Sequence, residues 1–579
     1  MAATAVLLLG LLARLWAASG TFLNPDEALH YRLANQVSMA LAYKESLTAS
    51  HPPLLTFILY FWRVFGTSEL WLRFPSIIAG MAFCWIFYKW LRNSAGDLAG
   101  LIGLTFVSFL PPIVLLSVEI RQYALLLSFL AAALYFLDES FAQNSLGRMA
   151  AFSLCLYLAM LSHYSAFLFA TALCFYALCR FFAARFGMNL IMAWAAGQIG
   201  ALALAIFLYK SHISNLGVGE SRTALQGWMS DFFLRRSYLD WAHDNPVLFL
   251  VGHSFGVFQY FFGQLAVGDL MGLLFLMGVV LLVRRQPLPE QQRRSRRLGI
   301  FLLLPFAIGA AAALAHVYPY GGTRHIAFLI IPGIAGVSVA IATLAAERWQ
   351  RGLAITAFIV LACIAFGKTR PPRIERTDQN LRNMLSAIEF LKQNVKPSDF
   401  IFTDYQTDLI LGHYLCHQRS IFFQPAPGMF EQFSCGGSRV VSEDYRLWQF
   451  WASNFPQAWQ RMLEDYKLKP GQTVWIIQAG WGVDLPQDLQ RHFAEFRSLQ
   501  FESFGKNILI FKLLVGNCLS ASQCPPSLGK QVSFSCLLIQ SQCAQRDFVR
   551  NVAVAIFRNH SETAGIIPHC PSHAMFLER

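Results

Sequence analysis

A chain of 579 residues that is 55% hydrophobic and only 14% charged, with apolar runs that repeatedly reach the ~20 residues of a bilayer crossing, is not a soluble globular protein. Its formal charge of +13 invites a nucleic-acid reading, yet much of the excess lies in short loops beside apolar runs, where Lys and Arg mark the cytoplasmic side. The class is a polytopic membrane protein, surrounded by lipid and without a nucleic-acid partner.

The first apolar run, Ala2–Ser19, is interrupted only by Arg14 and lacks both a basic start and a small-residue cleavage site, so it reads as an uncleaved span. Residues 20–72 are polar to amphipathic. Within them Leu54–Phe65, short, aromatic and carrying Arg63, reads as an interfacial helix. Apolar runs follow at 74–91, 99–117, 122–137, 149–162, 164–182, 189–209, 269–283, 300–316, 326–345 and 353–367. With the first run they make about eleven spans. The Phe-rich stretch 246–265, which contains His253 and Gln259, reads as juxtamembrane, because counting it would invert everything downstream.

With a cytoplasmic N-terminus, the inside loops hold Arg92, Arg148, Arg180, Arg185, the cluster Arg284, Arg285, Arg293, Arg294, Arg296 and Arg297, then Arg348 and Arg351. The positive-inside rule is met throughout. The same count places 20–72, 118–121, the turn near His163, 210–268, 317–325 and everything after 367 on the outer face.

Beyond the basic, proline-containing linker Lys368–Arg376, the pattern becomes that of a small extracytoplasmic α/β domain over 368–514. Helices are expected at Asp378–Asn394, Thr407–His417 and Glu443–Tyr466, and strands at Phe400–Thr403, Val474–Gln478 and Ile508–Lys512. Cys416 and Cys435 are candidates for a disulfide there. His413, Cys416 and His417 share a helix face, but with no fourth ligand in view an ordinary packed or solvated face outweighs a metal site. Residues 515–579 carry five cysteines without a paired spacing and read as a disordered extension with no assigned function.

Ionisable chemistry gathers at one face. Asn24-Pro25-Asp26-Glu27 follows the first span and His51-Pro52-Pro53 closes the same loop. The bland reading is that Asp26 and Glu27 cap a helix beginning at Ala28. The functional reading is that one carboxylate faces a cavity while the other holds the loop or a cation. Arg73 opens the second span, Glu119, Arg121 and Tyr123 the fourth, His163 and Tyr164 sit at a turn, and Arg324 and His325 open the tenth. Singly these groups could snorkel or pack; recurring on the side of Asp26, they define one outward polar site. Boundary arginines suit a lipid-linked phosphate, since a guanidinium offers planar, always-charged donors to phosphate oxygens. A carboxylate beside them can take the proton of an attacking hydroxyl, and the combination is glycosyl transfer from a lipid phosphate.

The order Asp-Glu, His-Pro-Pro-Leu, Leu-Arg-Phe-Pro-Ser, Glu-x-Arg-x-Tyr, Ser-His-Tyr-Ser and a late Thr-Arg-His resembles membrane glycosyltransferases of the GT-C class. It is similar in particular to the family of protein O-mannosyltransferases and bacterial aminoarabinose transferases, over roughly residues 20–345. The resemblance implies a mainly α, GT-C-type helical bundle over 1–367 with its catalytic loop at 20–72, a polyprenyl-phosphate-linked sugar donor and an inverting displacement. It further implies a bacterial inner-membrane enzyme whose acceptor is a lipid, a glycan or a protein. By position Asp26 matches the catalytic acidic residue, Glu27 its neighbour and Glu119 the second acidic site. Arg121, Arg324, His51, Arg73 and Tyr123 are the expected donor-phosphate contacts, and Tyr31, His163, Tyr164 and His325 the expected cavity lining. His51 stands where aminoarabinose transferases have lysine, and His325 departs from the common Arg-Tyr. Some relatives use a divalent cation, for which Asp26, Glu27, Glu119, His51 and His163 are candidate ligands, so the metal question stays open. The rival functions are a lipid-linked-sugar flippase, which should carry polar residues deep in several spans, and an O-antigen ligase or polymerase.

Overall fold

The computed structural model describes residues 1–47, 49–215, 234–284, 289–346, 348–367, 379–397, 399–416, 424, 426–435, 437–443, 448–451, 454–481, 485 and 498–515. The linker from Lys368, His417, Arg285 and the cysteine-bearing tail after Val515 fall outside them, as do the side chains of Arg293, Arg294 and Arg296. From the N-terminus, α1 (Ala2–Ala18) leads to three short helices, α2 (Pro25–Ala34), α3 (Met39–Ser46) and α4 (Leu54–Trp62). There follow α5 (Glu69–Ala95), α6 (Asp97–Phe109), α7 (Pro111–Val118), α8 (Tyr123–Gln143), α9 (Leu146–Ser162), α10 (Ala166–Ala183) and α11 (Met188–Ser211). The second half holds α12 (Pro246–Phe262), α13 (Leu265–Arg284), α14 (Pro289–Leu314), a 3-10 turn at Arg324–Leu329 running into α15 (Ile330–Leu344), and α16 (Trp349–Phe366).

Among the described residues, eight helices are long and apolar enough to cross a membrane, or nine if the pair α6 and α7, bent by 62°, is one span. The remaining two expected spans, α1 and α9, are apolar helices of 17 residues, about 25 Å of rise, just under the hydrocarbon thickness. Every expected run is therefore helical, but among the described residues only eight or nine of the eleven reach the length of a crossing. α15 is apolar all round and lies at the centre of the bundle, as such a helix must. Close approach makes this possible: a β-carbon at Gly336 would sit 2.4 Å from the Phe275 ring of α13.

α12 has the same length as α1 and α9, but its surroundings differ. Just before it, Trp241 Nε1 donates to Leu314 O at the end of α14, and the Gly263 carbonyl after it meets Gly367 at the end of α16. The segment leading into α12 thus lies beside the end of α14, and its C-terminal end beside the end of α16.

After residue 380 come α17 (Leu381–Asn394), β1 (Phe400–Thr403), α18 (Tyr405–Tyr414), β2 (Phe430–Cys435), β3 (Ser438–Glu443), α19 (Phe455–Asp465), β4 (Thr473–Ala479), β5 (Ser498–Ser503) and β6 (Ile508–Leu514). The sheet order is β2-β3-β1-β4-β6-β5. β1 runs parallel to β3 and β4, and the outer pairs are antiparallel. The sequence pattern anticipates β1, β4 and β6 and misses β2, β3 and β5. The third helix begins at Phe455 rather than Glu443, because Pro456 suits a first helical turn and not a helix interior. Cys416 and Cys435 are joined in a disulfide.

This region packs directly on the loop after α1. Phe22 N donates to Gln379 O, Leu381 N to Gly20 O, and Leu23 N to the Tyr414 hydroxyl at 2.9 Å. Arg32 of α2 pairs with Asp408 at 3.0 Å and Glu431 at 2.7 Å. The α/β region and the 20–72 loop therefore share one side of the bundle.

Candidate active site

α2 begins three residues earlier than Ala28, and that shift separates the two carboxylates. Asn24 is the N-cap and Pro25 the first helical residue. The Asn24 side chain accepts from Glu27 N at 2.9 Å and Asn24 N donates to Glu27 Oε2 at 3.0 Å, a closed capping box. Glu27 is then clamped by Arg73, whose Nε reaches Oε1 and Nη2 reaches Oε2, each at 2.7 Å. Ile120 N adds a third contact to Oε1 at 3.1 Å. Arg73 spends its other N–H groups on Ala18 O, Thr21 O, the Thr21 hydroxyl and Phe22 O. Both side chains are 1% exposed. The expected catalytic role of Glu27 and phosphate role of Arg73 are corrected by this geometry: each is saturated by the other and by backbone, so neither has a free face for substrate.

Asp26, one position earlier, points elsewhere. Its Oδ2 receives Arg121 Nη1 at 2.7 Å and Arg324 Nη2 at 2.9 Å. Burial alone would raise the Asp26 carboxyl, but the charges of Arg121 and then Arg324 overcome it and lower it to about 2. Arg121 comes from the turn between α7 and α8, where Glu119 is extended and Arg121 N donates to Glu119 O. The Glu119 charge also acts on Arg324 and Arg73. Arg324 opens the 3-10 turn before α15. Three segments far apart in sequence thus converge on one carboxylate.

Beside this cluster runs a ladder of rings: His30 to His51 at 5.6 Å, His51 to His163 at 5.5 Å, and His163 to Tyr123 at 5.1 Å. Burial first, and neighbouring cations and imidazoles second, push His30 down to about 3 and hold His51 and His163 well below the usual histidine range. His51 is therefore a neutral hydrogen-bonding group, so any contact it makes to a phosphate is one without charge. Ser165 N donates to His163 Nδ1 at 3.2 Å, which leaves the proton of the neutral ring on Nε2.

Polar atoms without a partner among the described residues concentrate here: Arg121 Nε, both amide atoms of Gln122, the Tyr123 hydroxyl, His51 Nδ1 and His325 Nδ1. Buried polar groups are normally paired. Beside two arginines, these atoms offer hydrogen-bonding capacity that the described residues leave unused.

One expected lining residue, Tyr31, lies elsewhere. Tyr31 follows Asp26 by five positions, about 140° around the helix, and its ring packs edge-on to His413 of α18 at 5.0 Å; its assignment to the cavity is corrected to the contact with the α/β region. Tyr164 stacks on Phe167, and its hydroxyl has no partner among the described residues. Conversely, His30 and Tyr260 were not anticipated. His30 follows Asp26 by four positions, so the signal was present once the helix starts at Pro25. Tyr260 of α12 is buried within electrostatic reach of Arg324, Glu119 and Arg121, and nothing local in its sequence marks it.

The candidate donors do not fit a divalent cation. Glu27 is consumed by Arg73, Asp26 faces two guanidinium groups, and among the described residues no three His, Cys, Asp or Glu side chains converge on a metal position. Cys416 is committed to its disulfide, which removes it from the His413 set.

Comparison with known proteins agrees with the resemblance read from the sequence. Residues 50–209 match the family model for dolichyl-phosphate-mannose-protein mannosyltransferase. No curated protein sequence matches the chain. Among solved structures, the crystal structure of ArnT from Cupriavidus metallidurans bound to undecaprenyl phosphate aligns with a TM-score of 0.51 at 12% identity, covering 90% of this chain and 99% of that one. The archaeal oligosaccharyltransferase AglB from Archaeoglobus fulgidus, in complex with an inhibitory peptide and a dolichol-phosphate, aligns with a TM-score of 0.43 at 10% identity, over 91% of this chain and 75% of that one. The fold is ArnT-like, the GT-C-type membrane architecture expected from the sequence.

Proposed function

We propose that this protein is an integral-membrane glycosyltransferase that moves a sugar from a polyprenyl-phosphate donor to an acceptor on the outer face of the plasma membrane, with inversion. The observation that carries the reading is the Asp26 carboxylate held between Arg121 and Arg324 beside a concentration of unpartnered polar atoms. The undecaprenyl phosphate bound to ArnT and the matched family model support the choice of a lipid phosphate.

In this reading, the donor phosphate takes the guanidinium groups of Arg121 and Arg324, which then meet the charge that develops on the leaving oxygen. Asp26, relieved of part of that field, accepts the proton of the attacking acceptor. The new bond forms from the acceptor to the anomeric carbon, the bond from that carbon to the phosphate oxygen breaks, and polyprenyl phosphate leaves. The neutral ladder of His51, His163 and Tyr123 lines the sugar side of the site.

Residues 1–367 would carry the transferase and 368–514 a separate acceptor-facing domain. The arginine-rich loops on the opposite side and the Cys416–Cys435 disulfide support an extracytoplasmic site. The test is incubation of the purified protein with a panel of polyprenyl-phosphate sugars and cell-envelope acceptors, with mass spectrometry of released polyprenyl phosphate. Donor-specific release is expected. Intact donor throughout, with transbilayer movement of that donor in vesicles, would transfer the reading to a flippase.

A further inference from the structure

The α6–α7 bend is written in the chain as Leu110-Pro111-Pro112. In an unbroken helix the carbonyls of Val107 and Ser108 would accept from the N–H groups of residues 111 and 112. Both are prolines and have none to give. Two bare carbonyls at this depth of a membrane bundle need another donor.

Arg14, the single charge within α1, supplies it. Its Nη2 donates to Val107 O and its Nη1 to Ser108 O, each at 2.9 Å. The other N–H of Nη1 reaches Gly10 O at 3.1 Å, the other of Nη2 meets Cys84 Sγ at 3.4 Å, and Nε donates to the Ser117 hydroxyl at 2.9 Å. All five guanidinium N–H groups are used and none meets a carboxylate, although the side chain is completely buried. A charge so placed has not snorkelled to headgroups.

Ser117 lies beyond the break, in the last turn of α7, two residues before Glu119. Arg14 therefore grips the bend from both sides. Room for this is provided by Gly80 of α5, where a β-carbon would lie 2.3 Å from that of Ser117. Directly downstream, Ile120 N reaches Glu27 and Arg121 reaches Asp26.

We propose that Arg14 is a positioning residue, fixing the α6–α7 bend so that α7 delivers the Glu119–Arg121 turn to Asp26. Only the activity it serves rests on the glycosyl-transfer reading; the bend itself does not. A residue that merely stabilises the fold and one that aims α7 are separated by restoring the missing backbone donors. In Arg14→Met combined with Pro111→Ala and Pro112→Ala, residues 111 and 112 regain their N–H groups and the two carbonyls no longer need the guanidinium, but the bend loses its cause.

The experiment compares wild type, Arg14→Lys, Arg14→Met and the triple variant by melting temperature, by hydrogen exchange over residues 108–124, and by turnover of the donor that wild type uses. Arg14→Met should melt lower, exchange faster over 113–121 and lose roughly 100-fold in kcat/KM, the scale of a misplaced catalytic group. Arg14→Lys should keep part of each. The triple variant should recover melting temperature without recovering kcat/KM or the exchange pattern at 119–121. Recovery of turnover together with stability would reduce Arg14 to a fold stabiliser, and wild-type exchange in Arg14→Met would remove the proposal outright. Absence of turnover in wild type would instead count against the glycosyl-transfer reading, while the exchange pattern still decides for or against Arg14.

Discussion

Replacing Asp26 by Asn removes the charge shared by Arg121 and Arg324 while nearly conserving shape. The carboxyl is lowered from 3.8 to about 2, and at ~1.36 kcal/mol per unit that displacement is worth about 2 kcal/mol. The sign follows: the contribution is complete above the unfolded value near 4 and is lost as pH falls through 2, so at neutral pH the variant forfeits all of it. A loss of that size is small against the ~5–15 kcal/mol of a folded domain, and the Glu27–Arg73 clamp that holds the loop is untouched. Insertion and melting should survive with a modest shift. Turnover should not, since loss of a positioned base costs about 100- to 10,000-fold. The assay is release of polyprenyl phosphate per folded molecule, at saturating donor and pH 7. A kcat within a few-fold of wild type in a well-folded Asn variant would refute the role of Asp26. The pH profile adds a second check: because the donor phosphate draws the arginines away, the acid limb of kcat should lie at higher pH than that of kcat/KM.

Arg121→Ala should raise KM for the donor more than it lowers kcat if its main role is holding the phosphate, and isothermal binding of polyprenyl phosphate should weaken in parallel. Glu27→Gln leaves the fully buried Arg73 without its counter-charge and should cost about 3–5 kcal/mol, visible as a large drop in melting temperature with little effect on kcat of the molecules that remain folded. Removing the Cys416–Cys435 bridge, with a sequence separation of 19, should destabilise the α/β region by about 3 kcal/mol, measured as the difference between reduced and oxidised protein in urea. Burial above all raises Asp408 to about 7, with the Arg32 contact only partly opposing it. Stability should therefore fall as pH rises from about 4 to 7, and Asp408→Asn should flatten that slope in melts taken across the range; a slope unchanged by the substitution would contradict the assignment.

The spans were legible because a crossing helix needs a long apolar run whatever it packs against. α1 and α9, at 17 residues, fall about three short of the ~20 that cross the hydrocarbon core, yet lie where the apolar runs place them. The fate of Asp26 and Glu27 was half legible. That one carboxylate would hold the loop follows from chain geometry, but which one depends on the helix start, and Asn24-Pro25 with Glu27 three residues after the cap is itself a start signal. Reading the start at Ala28 keeps a capping role for Glu27 but hides its place inside the helix and the shared face of Asp26 and His30. Arg73 misleads for another reason: a boundary arginine looks the same in sequence whether it meets a lipid phosphate or four backbone and hydroxyl oxygens. β2 and β3 were invisible because the short Phe430–Cys435 and Ser438–Glu443 stretches mix charged and apolar residues, and their place in the sheet is set by partners across it.

In the proposed reading, charge counting at the site accounts for how a carboxylate held so low would serve as a base. Arg121 and Arg324 are balanced by Asp26 and Glu119, so the site is close to neutral before donor arrives. An anionic phosphodiester can enter only by taking guanidinium contacts that Asp26 now holds through a single oxygen at 2.7 and 2.9 Å. Each contact so transferred removes part of the field that keeps Asp26 near 2, and its affinity for a proton rises. Donor binding and base activation then become one event, and an acceptor hydroxyl that arrives alone meets a carboxylate too weak to deprotonate it. Glu27 cannot substitute, because the capping box, Ile120 and Arg73 hold it whether or not donor is present.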